Sequence, residues 1–132
     1  MKRLLFTAAV AAVLVTGAQV WAHHSFAATY LEDQSVTIEG EIIQFLLRNP
    51  HSFVHVMVKQ PDGTTTRFVV EWGSPAQLSG RVSRDTLKPG DHVIISGNPG
   101  RNASDNRVRL LTFQRPKDGW SWGLLPDEKF DR

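Results

Sequence analysis

One stretch limits what this chain can fold into more than any other: Arg48 to Val58, reading R-N-P-H-S-F-V-H-V-M-V. After the break at Asn49-Pro50, Ser52, Val54, Val56 and Val58 fall on one side of an extended backbone, and His51, Phe53, His55 and Met57 on the other. Such period-two alternation predicts a half-buried β-strand. The valine side is the inward one, because β-branched side chains pack well on a pleated surface. The other side carries two histidines and a methionine, an odd set for packing alone.

Similar alternation, punctuated by turn chemistry, recurs along the chain. Val36, Ile38 and Ile42 share one parity against Thr37, Glu39 and Glu41. The apolar set then switches to Ile43, Phe45 and Leu47, which requires a bulge or bend near Gly40 to Ile42, or burial on both faces. The second strand runs over residues 51–59, and Pro61-Asp62-Gly63 turns it into a third over 64–72. Ser74-Pro75-Ala76-Gln77 supplies an N-cap serine, a first-turn proline and a capping-box glutamine, so a short helix follows. Lys88-Pro89-Gly90-Asp91 leads into a fourth strand over 92–97, and a polar loop separates it from a fifth over 107–114.

The fold class expected is therefore all-β: a small five-stranded barrel of OB type, with one short helix between strands three and four. An open sandwich is the competing architecture if the first strand does not bend. The organisation expected is an irregular arm over residues 23–35, anchored by Phe26 and Tyr30, a barrel over 36–115 and a tryptophan-bearing tail over 116–132. The tail reads as an apolar strap across the barrel or as a partner-binding segment.

Lys2 and Arg3, the apolar run Leu4 to Val15 and Val20-Trp21-Ala22 have the layout of a secretory signal peptide over residues 1–22. As a retained anchor the apolar run is shorter than the roughly 20 residues needed to span a bilayer, so no membrane span is expected after cleavage. A cut after Ala22 leaves His23 first, and a cut after Ala18 leaves Gln19 first. A periplasmic or secreted location follows. Lys plus Arg number 15 against 13 Asp plus Glu, and the leader holds two of the 15, so the remainder balances. A balanced domain lacks the electrostatic footprint of a nucleic-acid binder. With no cysteine, disulfides and thiolate metal sites are excluded.

Taken together, His23-His24-Ser25-Phe26, Asn49-Pro50-His51, Glu71 with Gly73-Ser74-Pro75, and Arg84-Asp85-Thr86-Leu87-Lys88-Pro89-Gly90-Asp91 resemble a family of exported bacterial proteins known as domain of unknown function 6152. The resemblance extends to about Gly97 and implies a periplasmic or secreted OB-like domain, with no settled activity. His55, where an aromatic or aliphatic residue would fit the pattern, and the segments after Gly97 depart from it.

Five histidines without cysteine direct the search for chemistry to nitrogen ligands. If His23 becomes the first residue, its amine and Nδ1 form a chelate, and a further imidazole from His24 or His51 completes the tetragonal nitrogen set that copper(II) favours. A polar terminus whose histidines touch nothing is the plain alternative. His51 either joins such a site or caps its loop. His51 and His55 lie roughly 13 Å apart along a strand, too far to share one ion. His55 and Met57 are either a copper(I) pair or rim packing. Glu71 pairs with Arg67 on the same face, orients the His51 imidazole, or acts beside His51 as a base in an enzyme.

No nucleophile elbow, phosphate loop or zincin helix occurs in the sequence, so the expected role is non-enzymatic binding. The sharpest expectation is a copper or other transition-metal site at His23, His24 and His51. The alternative is an envelope module that grips a peptide, glycan or protein partner with Phe53, His55, Trp72 and the Trp120 to Trp122 strap.

Overall fold

In a computed structural model, residues 25–125 and Glu128 are described. The sheet is built from β1 (Val36–Leu46), β2 (Ser52–Lys59), β3 (Thr65–Trp72), β4 (His92–Pro99), β5 (Arg107–Arg115) and β6 (Trp120–Trp122). A five-residue helix, α1 (Ser25–Thr29), precedes it, and a four-residue helix, α2 (Pro75–Leu78), lies between β3 and β4. Strand order is β3-β2-β1-β4-β5-β6, and a parallel pairing of β3 with β5 closes the first five strands into a barrel of the expected OB type.

The long first strand makes closure possible. Residues Val36 to Glu41 pair with β4, and Glu41 to Leu46 pair with β2. The expected bulge is present one residue later than the sequence suggests, where the register slips between Ile42 and Gln44. Ile43 is the extruded residue and is 39% exposed, so it does not join Phe45 and Leu47 against the core. A bulge spends one residue on the parity switch, and Ile43 is that residue. Gly40 is required close by: a Cβ there would stand 2.2 Å from the Met57 carbonyl oxygen.

The valine face of β2 points inward as expected, with Ser52, Val54 and Val56 fully buried. Trp72 is the centre of the core. Its ring stacks on Phe113 at 5.5 Å and meets the edge of Trp122 at 5.3 Å. Within the tail, β6 is a strap that adds a sixth strand through the pairs Phe113 with Trp122 and Arg115 with Trp120. Glu128 accepts from the Gly123 amide at 3.0 Å and pairs with Arg81, which ties the end of the strap to the region after α2.

Helix α2 begins as its sequence dictates. Ser74 Oγ accepts from the Gln77 amide, and the Gln77 side chain accepts from the Ser74 amide in return. Leu78, with Val82 and Leu87 after it, enters the core cluster and seals that end of the barrel. Among the described residues no helix is long and apolar enough to cross a membrane.

Candidate functional site

Parity along β3 sends Phe68, Val70 and Trp72 toward the core, leaving Glu71 on the outer wall. The parallel register sets Glu71 opposite Arg109 and Val69 opposite Arg107. An outer-wall carboxylate would ordinarily be solvated, yet Glu71 is only 8% exposed and Arg109 only 6%. The cover is the N-terminal arm. Tyr30 bridges to Gly100, the Leu31 amide donates to the Pro99 carbonyl at 2.9 Å, and the Arg101 amide donates to the Thr29 carbonyl at 2.9 Å. Asn98 completes the attachment by donating from its side-chain amide to the Gln34 carbonyl at 2.7 Å.

Beneath the arm the Glu71 carboxylate meets three partners, one by hydrogen bond and two as ion pairs. Its Oε1 lies 2.6 Å from His51 Nδ1; its Oε2 accepts from the Tyr30 hydroxyl and lies 3.5 Å from an Arg107 nitrogen. Three partners from three separate segments satisfy a carboxylate that burial would otherwise penalise. Tyr30 is itself fully buried. Burial first, then the hydrogen bond to Glu71 and its negative charge, push the phenol well above its ordinary range, while Arg107 opposes the shift. Tyr30 is therefore a fixed donor rather than a base.

Phe26 brings the arm onto the histidine. Its ring centroid is 5.3 Å from that of His51, and the Arg109 guanidinium lies over the same Phe26 ring, 3.9 Å from its centroid. Arg109 is held in turn by Glu32 at 2.8 Å. His51 sits immediately before β2, after a cis Asn49-Pro50 peptide bond, and the next amide, Ser52, donates to the Gly73 carbonyl at 3.0 Å. Its side chain remains one-third exposed. Phe26, His51, Glu71, Trp72, Gly73, Gln77 and Arg109 together line a small cleft of about 50 Å³.

This arrangement can orient the His51 imidazole through its Nδ1. A carboxylate at Nδ1 draws the ring proton to that nitrogen and leaves the lone pair on Nε2, the orientation common to metal-ligating histidines. Among the described residues no group of three or more His, Asp or Glu side chains is placed to hold a metal ion. His23 and His24 lie outside the described residues.

The other sequence-predicted positions separate. Arg67 is not the partner of Glu71; its guanidinium engages His55 Nδ1, with Nε at 3.0 Å. The two arginine and glutamate positions share a face, but covering by the arm carries Glu71 toward His51 and leaves Arg67 to the open part of the sheet. Burial first, then the charges of Arg67 and Arg48, hold His55 below the ordinary histidine value. Met57 is half-buried two residues on. Phe53 is on the outer face, with the Arg48 guanidinium 5.0 Å from its ring. Trp72, expected on a partner-binding face, is instead in the core at 2% exposure, because Trp72 shares the inward parity of Phe68 and Val70. His92 pairs with Glu39 at 2.7 Å on the exposed surface.

Sequence reasoning assigned Phe26 and Tyr30 only as anchors and gave Arg107 and Arg109 no role. The signal for the arginines was present in Arg107-Val108-Arg109-Leu110, where two cations share the face opposite two core residues. What they pair with depends on β3 closing against β5 and could not be read from β5 itself.

The protein is thus an OB-type barrel whose outer wall carries an arm-covered histidine, glutamate, tyrosine and arginine cluster. The model of the family of unknown function DUF6152 matches residues 10–109, and the chain belongs to that family. The matched span encloses every member of the cluster. No curated protein matches the chain.

Proposed function

We propose that this is an exported, non-enzymatic domain that binds copper, with His51 presenting Nε2 to the ion and the arm supplying His23 and His24. The observation that carries the reading is the Glu71-oriented imidazole at 2.6 Å, packed against the arm residue Phe26. From Phe26 back to His24 is two residues, a reach of at most about 7 Å of extended chain. The arm is fastened to the barrel from Phe26 onward, which reduces the entropy lost when its histidines chelate an ion. With His23 as first residue, its amine and imidazole would add two nitrogens to that of His51. Copper(II) is favoured over harder divalent ions because the donors are all nitrogen.

The test is copper(II) uptake by the mature protein, followed by calorimetry and by the nitrogen hyperfine pattern in electron paramagnetic resonance. One equivalent should bind. His51→Ala should remove one nitrogen from the pattern, and acetylating the terminal amine should weaken uptake by at least tenfold. Uptake unaltered by both changes, or a mature protein beginning at Gln19, would overturn the proposal.

The partner-binding alternative draws on less. Phe53 and His55 remain on the outer face, whereas Trp72 and Trp122 belong to the core. A peptide, glycan or protein partner would have to be gripped by Phe53 and the exposed Leu124 and Leu125.

A further inference from the structure

The two ends of the barrel are finished differently. At one end Leu78, Val82 and Leu87 cover the core and are at most 6% exposed. At the other, the inward-facing Val36, Val58 and Phe68 pack against the core yet stay only partly buried. Between them opens a cleft of about 610 Å³ whose wall reaches Ile38 and Val108. Ligand sites typically occupy roughly 300–1,000 Å³, are largely apolar with a few polar groups, and favour the mouths of barrels.

The rim is cationic. Lys59, Arg101 and Arg107 border the cleft, against the carboxylate of Glu39. Glu39 is engaged by His92 Nε2 at 2.7 Å and Arg107 leans toward Glu71 at 3.5 Å, whereas Lys59 takes part in no ion pair among the described residues. An apolar floor beneath a positive rim complements a molecule with a short hydrocarbon body and one anionic head. We infer that this mouth binds a medium-chain carboxylate, with its chain against Val36, Val58 and Phe68 and its head at Lys59 and Arg101. The site is separate from His51 and independent of metal.

The experiment is a titration of the protein with octanoate, decanoate and decanol, each below its micellar or solubility limit, read by amide chemical shifts. Saturable shifts should centre on Val36, Val58, Phe68 and Val108. Decanoate should bind about 15-fold more tightly than octanoate if both added methylenes are buried. Lys59→Glu, a change at an exposed position, should weaken decanoate about fivefold or more and leave decanol unaffected. Val58→Trp, which fills the mouth, should abolish both, with the thermal midpoint reporting that the barrel persists. Absence of saturable shifts overturns the inference, as do shifts confined to Leu124 and Leu125, an unchanged Lys59→Glu response, or self-association of the protein through the mouth that decanoate does not reverse.

Discussion

Raising the pH isolates Tyr30, because it is the only tyrosine in the chain and its ionisation can be followed directly at 295 nm. Burial and the Glu71 carboxylate hold its phenol well above the ordinary value of 10.0. In the unfolded chain it titrates normally, so between that value and its folded one the unfolded state holds fewer protons than the folded state. By linkage, stability falls as pH rises through this window. The contribution lost by pH 12 is on the order of 2 to 3 kcal/mol. Two outcomes follow. Absorbance at 295 nm should stay flat through pH 10 to 11 and appear only with cooperative unfolding, monitored in parallel by near-ultraviolet circular dichroism. Tyr30→Phe should lose that alkaline slope while costing about 1–3 kcal/mol at neutral pH for the carboxylate it leaves short of a donor. A simple tyrosinate titration centred near pH 10 with the near-ultraviolet signal intact would refute the burial of Tyr30 beneath the arm, and with it the cluster.

Glu71→Gln preserves shape but turns one acceptor into a donor. It should cost about 2 kcal/mol in urea unfolding at constant m-value, and nitrogen NMR of His51 should show the ring proton moved to Nε2; a retained Nδ1 proton would argue against carboxylate control of the tautomer. Gly40→Ala drives a Cβ into the Met57 carbonyl and should destabilise by about 3 kcal/mol, read as a lower denaturation midpoint. His55 is held low by burial and by Arg67 and Arg48, so the unfolded chain takes up that proton first as pH falls. Its stabilising contribution is complete above the ordinary histidine value near 6.5 and is lost progressively below it. Arg67→Gln should therefore raise the His55 titration midpoint in NMR and flatten the loss of stability between pH 6.5 and 5.

Some of this was legible residue by residue. The valines of β2 announced their inward face, Ser74 to Gln77 announced a helix start, and the parity change from Ile42 to Phe45 announced a bulge. Each is a local rule, since strand faces, caps and bulges involve residues within a few positions of one another. Ile43 was assigned inward because period alone does not say which residue a bulge extrudes. Trp72 is assigned to a partner face in the partner-binding reading, although its parity with Val70 already points to the core.

The cluster has a different origin. Glu71, Tyr30, His51 and Arg107 come from four segments, and nothing within any one segment says that they meet. Arg67 was the nearest partner for Glu71 along the sequence, and it was displaced because the arm covers one half of the outer wall and leaves the other open. The sequence alone determined the class of fold, since alternation and turn chemistry act over a few residues at a time. Only the tertiary structure decided the site, since parallel closure of β3 on β5 and the docking of the arm over them create the low-dielectric ground on which those four side chains must satisfy one another.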